Sequence, residues 1–363
     1  AAIMSGAFVQ RGEVAAFDKW SRTRWALTAG ADIVLELPAV YALQAASGFA
    51  AGGVRTLAAT GMLSALSFGC EQGGEEELLA LSECTSDKDY DFHVAANLSL
   101  GMSYASAEQG ALYSLRPDLA HLAMKPNFVL GLSYTRAIRE YAPNVRLAVV
   151  RRKGSDYNDA SLAGSFSSAS AFRRALRSPD PIEREDALAA LPDFVAGDAQ
   201  MLHCGSMNEL EIALLYALRT KTPEELAAFA GVDEGLEYPL LRASKLTGVA
   251  GVLQSVKSKR YTMARLKRML CAVLLGITKE KQALANEGPK YIRVLGVRSE
   301  AKGLLGEIAR NSSVPVVVKK SDADALTAPA RQIYDTDVLA SDVAALSWRC
   351  EGGRDFTEPL VTV

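Results

Sequence analysis

Short apolar runs alternate with helix-length amphipathic stretches along the first half of the chain. The runs, each followed by a proline, a glycine or an arginine, cover residues 33–37, 65–68 and 145–150. The helix-length stretches cover residues 19–29, 44–59, 75–82 and 127–141. Strands that alternate with helices are typical of a doubly wound parallel sheet, so we predict an α/β, Rossmann-like domain. Such sheets bind their ligands at the carboxyl ends of the strands.

The pattern changes after about residue 180. Pro179-Asp180-Pro181 interrupts the alternation, and helical periodicity dominates from there to about residue 285. Two further short apolar runs follow, at 291–296 and 314–318. We therefore predict an α/β domain over 1–180, a mainly helical domain over 181–285 and a small α/β section over 286–363.

Composition indicates a folded, globular protein without a membrane segment. Hydrophobic residues make up 49% and charged residues 23% of the 363 residues, a length typical of two or three domains at ~150 residues each. The longest strongly apolar run, 269–277, is about half of the ~20 residues that a helix needs to cross a bilayer. We therefore expect no membrane partner.

The cysteines and histidines argue against a disulfide framework and against a metal centre. Five cysteines and three histidines are scattered along the chain, without a C-x-x-C or H-x-x-x-H pair. The adjacent His203 and Cys204 are too few for a metal site, which normally needs three or four ligands. Cys70 has no histidine near it in sequence, and we interpret it as a small buried residue. We expect a reducing, cytoplasmic setting and no structural metal.

The net charge of −2 excludes a general attraction to nucleic acid, so an RNA partner needs a local cationic patch. Six cations without an acidic residue occur between residues 257 and 268: Lys257, Lys259, Arg260, Arg265, Lys267 and Arg268. On a helical wheel the cations lie apart from the apolar Met263, Leu266 and Leu270. We interpret them as one helical face that binds RNA phosphates; the alternative is a solvated charged face.

Strand ends and helix starts in the first domain carry small or cationic residues. The strand ends carry Ser5-Gly6, Glu36, Gly69 and Arg151-Arg152. Lys125-Pro126-Asn127 precedes a helical stretch, for which we expect Asn127 as the N-cap. The serines at 167–170, with Ser168 among them, open a helix that carries Arg173 and Arg174. Each start alone is typical of an ordinary cap, but together they favour a nucleotide site.

An ordered series of motifs resembles one family along nearly the whole chain. Residues 4–13, MSGAFVQRGE, resemble the MSGNFVQRGE signature of the bacterial tRNA(Met) cytidine acetate ligases, which are HIGH-type nucleotidyltransferases. Further matching segments are GADIVLELP at 30–38, LSFGCE at 66–71, KPNFVLG at 125–131, SASAFR at 168–173, KSKRYTMARL at 257–266 and RVLG at 293–296. Each motif alone is weak, but the ordered series is specific.

The resemblance implies a ligase that uses ATP, with Mg²⁺, to activate acetate as acetyl-adenylate. The acetyl group would then pass to N4 of the wobble cytidine of elongator tRNA(Met). The ATP-binding residues that the resemblance carries over are Gly69, Asn127, Arg151 and Arg152, and we add Lys125, Ser168 and Arg173 as phosphate contacts. We assign no catalytic residue. Two alternatives stay open: a nucleotidyltransferase that acts on a small molecule, and an inactive tRNA-binding relative.

The sequence departs from the family pattern at its start. The H-x-G-H loop is absent from these residues, and we expect that the opening βα unit is missing from this sequence rather than lost in evolution. Histidines of that loop stabilise charge on the phosphate, so we expect a chain without them to fold but to catalyse poorly. Ala7 and Asn158 also replace an asparagine and a histidine of the family pattern.

Overall fold

The computed structural model describes residues 1–152 and 169–363, which form a mixed α/β fold. The strands are β1 (Ala2–Ser5), β2 (Phe8–Val9), β3 (Glu13–Val14), β4 (Ile33–Leu37), β5 (Ala65–Cys70), β6 (Arg146–Arg151), β7 (Ile292–Val297), β8 (Val316–Val317) and β9 (Val361–Thr362). The strands β4 to β8 agree with the apolar runs of the sequence, whereas β2, β3 and β9 were not predicted; the α/β class is confirmed.

Four of the first seven helices, α1, α3, α4 and α7, follow the predicted stretches, whereas α2, α5 and α6 were not predicted. Those before the undescribed residues are α1 (Lys19–Thr28), α2 (Ala39–Ala42), α3 (Ala46–Ala58), α4 (Glu75–Cys84), α5 (Lys88–Ser99), α6 (Tyr104–Leu115) and α7 (Pro126–Tyr141), with a 3-10 helix at Ala120–Met124. Local signals define their starts: the Asp18 carboxylate, for example, accepts hydrogen bonds from two backbone N–H groups of α1.

Helices dominate the rest of the chain. They are α8 (Ala169–Leu176), α9 (Pro181–Ala189), α10 (Asp193–Met201), α11 (Glu211–Arg219), α12 (Pro223–Ala227), α13 (Glu237–Ala243), α14 (Val249–Val256), α15 (Met263–Leu274), α16 (Lys279–Asn286), α17 (Gly303–Asn311), α18 (Lys320–Asp324), α19 (Ala328–Trp348) and α20 (Arg354–Thr357), with 3-10 helices at Met207–Leu210 and Ser299–Ala301. No helix within residues 1–152 and 169–363 has the length and hydrophobicity of a membrane-spanning segment.

The largest sheet joins strands from the two ends of the chain. Its order is β1-β4-β7-β8, and β9 also pairs with β7. β1 and β4 are parallel, with Ala2 opposite Val34, whereas β4 and β7 are antiparallel, with Ile33 opposite Val297. Alternation of strands and helices does not reveal this antiparallel pair, because the helical residues between β6 and β7 let the chain return in either direction.

A second, two-stranded sheet is formed by β5 and β6, which are parallel and pair from Ala65 with Arg146 to Cys70 with Arg151. A cleft of about 620 Å³ is lined by residues of both β1 and β5. Among the described residues, β5 and β6 pair only with each other.

The three predicted sections stay a prediction, although the strands of 286–363 share a sheet with β1 and β4. The helix α19, which the sequence analysis did not predict, ties the ends of the chain together. Its buried face includes Ala330, Tyr334 and Ala344, and the indole N–H of Trp348 donates to the Ala15 carbonyl oxygen at 2.9 Å. Small residues spaced along the helix let it pack closely without a strong apolar stripe.

The helices between 211 and 274 enclose a core of their own, built largely of leucines. The helix α15 buries Leu266, Met269, Leu270 and Val273, so its predicted apolar face is confirmed. Thr262 is its N-cap, so Lys257, Lys259 and Arg260, which were predicted on the same helical face, precede the helix. The Thr262 hydroxyl accepts a hydrogen bond from the Arg265 backbone N–H, which stabilises the start of the helix at this point.

Candidate functional site

Three of the predicted ATP residues meet where β5 and β6 end. Cys70 pairs with Arg151 at the last position of both strands, and the backbone N–H of Arg152 donates to the Cys70 carbonyl oxygen at 2.9 Å. A Cβ at Gly69 would lie 3.0 Å from Cγ of Arg152, so the missing side chain lets Arg152 lie against the strand. Parallel strands end at one edge of a sheet, and the predicted grouping of Gly69, Arg151 and Arg152 is therefore observed.

Asn127 lies at the same edge but is not the N-cap that the sequence analysis expected. Pro126 takes the first position of α7 and Lys125 takes the cap position, because the fixed φ of proline suits a first helical residue. The backbone N–H and the Nδ2 of Asn127 both donate to Oε1 of Glu71, at 3.1 and 2.7 Å. Asn127 thus directs its amide towards the end of β5 rather than capping its own helix.

Glu71 is a site residue that the sequence analysis did not assign. It directly follows β5 and fixes the orientation of Asn127, while its Oε2 is buried and has no hydrogen-bond partner within the described ranges. The motif at 66–71 includes this glutamate, but a single glutamate after a strand carries no signal of its own.

Cys70 is a buried thiol rather than a nucleophile. Its exposure is 0%, and burial, together with the neighbouring carboxylate of Glu71, raises the pKa of the thiol to about 11. A thiol with that pKa stays protonated at neutral pH and reacts poorly. The interpretation of Cys70 as a small buried residue is confirmed.

A cleft of about 530 Å³, here called the central cleft, lies between the end of β1, α7, α8 and α15. Its polar lining comprises Ser5, Gln10, Arg11, Gln109, Asn127, Arg173 and Arg268. The cleft therefore brings together Asn127 and Arg173, two of the residues predicted to bind ATP. Ser168, a third, lies outside the described residues, and Lys125 is half-buried at the start of α7.

The hairpin of β2 and β3 carries Arg11 into this space. Gly12, at φ +70°, forms its turn, and a Cβ there would lie 2.4 Å from the backbone nitrogen of Arg268. The absence of a side chain lets the hairpin lie against α15. Arg11 then donates from Nη1 to the hydroxyl of Ser170, and Nη2 of Arg173 donates to the same hydroxyl at 3.3 Å.

The six cations predicted to bind RNA do not form one cationic face. Arg260 pairs with Glu234 at 2.6 Å and Arg265 with Asp233 at 3.5 Å, so acidic residues of a distant loop interrupt the face. Lys257 and Lys259 precede α15 and are exposed. The prediction of a continuous helical stripe is wrong, because tertiary contacts supply carboxylates that lie about 30 residues away in sequence.

The last two cations face inwards, towards the hairpin. Nζ of Lys267 pairs with Oε1 of Glu13 at 2.7 Å, and Nη1 of Arg268 donates to the carbonyl oxygen of Gln10 at 3.4 Å. Burial acts to raise the pKa of Glu13, but Lys267 and, more weakly, Arg173 and Arg177 outweigh it and lower that pKa. Burial, with repulsion from Arg265, lowers the pKa of Arg268.

Glu36 lies in a closed cluster rather than at a ligand site. Nζ of Lys19, with 0% exposure, contacts both carboxylate oxygens of Glu36 at 2.9 Å and Oδ1 of Asp355 at 2.7 Å. Arg293 of β7 also pairs with both carboxylates. We call Lys19, Glu36, Arg293 and Asp355 the buried ion cluster, whose charges neutralise one another.

His203 contacts Oε1 of Glu209 through Nε2 at 2.7 Å, and the Ser347 hydroxyl donates to Oε2 of the same glutamate. These contacts join the segment before α11 to α19, a structural role. Within 1–152 and 169–363 no three side chains of histidine, cysteine, aspartate or glutamate are grouped as metal ligands.

Comparisons with known proteins cover nearly the whole chain. The family model described as HIGH Nucleotidyl Transferase matches residues 1–353. A tRNA(Met) cytidine acetate ligase of Thermoanaerobacter pseudethanolicus is 34% identical, and one of Acetivibrio thermocellus is 31% identical; each match covers 99% of this chain and 91% of the relative.

Solved structures of the Thermotoga maritima protein TmcAL are similar in fold. The apo form has a TM-score of 0.91 at 29% identity, and the form bound with alpha-thio ATP has a TM-score of 0.89 at 28% identity. Both comparisons cover 99% of this chain and 91% of the solved chain.

Proposed function

This chain belongs to the HIGH nucleotidyl transferase family and, within it, to the tRNA(Met) cytidine acetate ligases, and from that premise we propose that it activates acetate with ATP and acetylates a cytidine of tRNA(Met). In the first step a carboxylate oxygen of acetate attacks the α-phosphorus of ATP, and pyrophosphate leaves. In the second step N4 of the wobble cytidine attacks the acetyl carbon of acetyl-adenylate, AMP leaves, and N4 loses a proton.

One observation above all supports this proposal. The solved relative bound with alpha-thio ATP has the same fold over 99% of this chain. The strand ends of β5 and β6 in the present structure carry the arginines and the amide that a nucleotide needs, at the edge where α/β sheets bind ligands.

We assign ATP to the edge formed by Gly69, Asn127, Arg151 and Arg152, next to the central cleft. The exposed guanidinium groups of Arg151 and Arg152 are suited to phosphate oxygens, which arginine binds in a bidentate way. Lys125 and Arg173 would contact the phosphates from α7 and α8, and Ser168 would join them from the segment before α8. The Asn127 amide, held by Glu71, would orient the nucleoside.

Acetate and Mg²⁺ are the smaller partners in this proposal. Mg²⁺ in enzymes that use ATP is held largely by substrate phosphates and water, so it would enter with ATP rather than occupy a protein cage. Acetate would lie beside the α-phosphate in the central cleft, where arginines compensate its charge.

Lys257 and Lys259 would contact the tRNA backbone directly, since both are exposed. Arg260 and Arg265 would exchange Glu234 and Asp233 for phosphates, and Lys267 and Arg268 would act deeper, near the hairpin. We place the reaction in the cytoplasm, in keeping with five cysteines that are all free.

The test is an assay of the complete reaction with labelled acetate, ATP and a transcript of the elongator tRNA(Met). We expect label in the tRNA only when all three are present, with one AMP and one pyrophosphate formed per acetyl group. A transcript with uridine at the wobble position is the matched control. AMP formation without labelled tRNA would favour a small-molecule acceptor, and tight tRNA binding without AMP formation would favour an inactive relative.

A further inference from the structure

A second cavity, here called the arginine cavity, lies between α8, α11, α14, α15 and the 3-10 helix Met207–Leu210. Its volume is about 660 Å³. Its described lining carries more cations than carboxylates. The charged residues are Arg11, Arg173, Arg174, Arg177, Lys267, Glu13 and Glu183. Such an excess in a concave site attracts an anion.

The opposite wall of the arginine cavity is apolar. Leu214, Val249, Leu253 and Leu270 come from three helices of the leucine core. Asn208, on the 3-10 helix, adds an amide that makes no side-chain hydrogen bond within the described part of the chain. A ligand with a flat apolar face, hydrogen-bonding edges and a phosphate fits this combination, and an RNA nucleotide has all three.

The arginine side of the cavity contains an unused donor. Nη2 of Arg177 donates to the carbonyl oxygen of Gly205, which fixes the guanidinium in place. Its Nε is buried and has no hydrogen-bond partner among residues 1–152 and 169–363. Lys267 is held beside it by Glu13. Cations that are positioned by the protein before a ligand arrives lose little freedom on binding.

The arginine cavity and the central cleft share a wall. Arg11 and Arg173 line both spaces, and the hydroxyl of Ser170 accepts hydrogen bonds from both arginines. An acyl group activated in the central cleft can reach an acceptor in the arginine cavity across these two side chains. A transfer enzyme requires this adjacency, because the acceptor must approach within contact distance of the activated carbon.

We propose that the arginine cavity receives the acceptor nucleotide of the tRNA, with the base against the leucine wall, its edge read by Asn208 and its phosphate on Arg174 and Arg177. This inference rests on the proposed function and adds to it the place where the RNA base enters. The acceptor base leaves the anticodon stack to occupy the cavity, while Lys257 and Lys259 hold the backbone outside.

The test measures tRNA affinity and ATP affinity separately on the full chain. Arg174→Glu places a negative charge at the exposed rim, and Arg184→Glu, an exposed position on α9 that does not line the cavity, is the matched control. We expect R174E to weaken tRNA binding roughly tenfold and to reduce the slope of log affinity against log salt by about one unit. R184E and wild type should bind tRNA equally.

Asn208→Ala tests base reading without a change of charge. We expect this variant to lose most of the preference for a transcript with cytidine, rather than uridine, at the wobble position, and to keep the wild-type salt slope. A structural defect would lower the affinity for both transcripts alike and leave their ratio unchanged.

Three results would overturn the inference: unchanged tRNA affinity in R174E, an unchanged cytidine preference in N208A, or a loss of ATP affinity in R174E. The last result would assign the cavity to the phosphates of ATP. Acetylation is measured alongside. A wild-type chain that binds tRNA and ATP without acetylating the tRNA would contradict the proposed function. The tRNA affinities of R174E and N208A relative to wild type would still show whether the arginine cavity binds the acceptor nucleotide.

Discussion

Charged residues lie at the ends of two groups of strands, but they are buried and ion-paired in one group and exposed in the other. At the end of β4, Glu36 is buried with Lys19, Arg293 and Asp355, and each charge contacts an opposite one. At the ends of β5 and β6, Arg151 and Arg152 are exposed, and no described carboxylate lies within ion-pair distance of them.

The difference shows that position at a strand end does not by itself define a ligand site. Cations that contact carboxylates inside the fold are neutralised by them. Cations without such a contact remain available to bind an anionic ligand. Burying a charge is favourable only when the opposite charges and hydrogen bonds are complete. The buried ion cluster is therefore expected to act on stability, and the arginine pair on binding.

The largest effect is expected from Lys19→Met, which removes the central cation of the buried ion cluster. Glu36 and Asp355 would then share Arg293 alone in a buried environment, and we expect a loss of about 3–5 kcal/mol in the free energy of unfolding. Denaturant titration measures it. Lys279→Met is the control, since Lys279 pairs with Asp233 at the surface and should matter by less than about 1 kcal/mol. Equal losses in the two variants would contradict the expectation that the buried ion cluster stabilises the fold more than a surface ion pair does.

The second effect concerns Asp337, which lies close to the buried ion cluster. Burial, and then the charge of Glu36, raise its pKa to about 7, and its carboxylate accepts from the Ala39 backbone N–H and from the Tyr291 hydroxyl. The folded state therefore binds a proton that the unfolded state releases near pH 4. The stability that this one group contributes is greatest below that pH and is lost as pH rises to about 7, by an amount on the order of 4 kcal/mol.

Asp337→Asn should remove this dependence, because the amide stays neutral at every pH. Unfolding measured at pH 5 and pH 8 gives the difference, and the exposed Asp335→Asn is the control. A wild-type slope retained in D337N would show that other groups of the cluster carry the proton.

Arg152→Ala and Asn127→Ala should have the smallest effect on the fold. They test directly whether the ends of β5 and β6 bind ATP. We expect each to weaken ATP binding by about 1–3 kcal/mol, R152A through loss of a hydrogen bond to a phosphate and N127A through loss of a hydrogen bond to the nucleoside. R152A should change the free energy of unfolding by no more than about 0.5 kcal/mol, as an exposed residue does. Arg146→Ala, at the start of the same strand, is the matched control for calorimetric titration with ATP. Unchanged ATP affinity in both variants would remove the strand ends from the site.

The strand ends illustrate how far the sequence alone leads. Pro38 and Gly69 stop apolar runs visibly, so β4 and β5 are predicted, and parallel strands must end at one edge, so Arg151 is predicted near Gly69. Which end becomes a closed cluster is not predictable, because Asp355 lies more than 300 residues from Lys19 and Glu36. Only the folded chain brings them together.

The candidate site was predicted less completely for a related reason. The cations at 257–268 are read from local periodicity, but Asp233, Glu234 and Glu13, which pair with three of them, come from elsewhere in the chain. The role of Glu71 depends on the orientation of a helix start that follows it by about 55 residues. Local patterns define elements well, whereas contacts between elements decide which charges remain available.

The antiparallel pairing of β4 with β7 has a consequence for how the protein forms during synthesis. Ile33 can pair with Val297, its partner in the sheet, only after more than 260 further residues have left the ribosome. Pairings so distant in sequence close late and slow the folding rate. Until then β4 has an open, apolar edge, a surface on which nascent chains aggregate. The leucine-cored helices between 211 and 274, whose contacts are local in sequence, can form before that closure, so their core does not depend on the completed sheet.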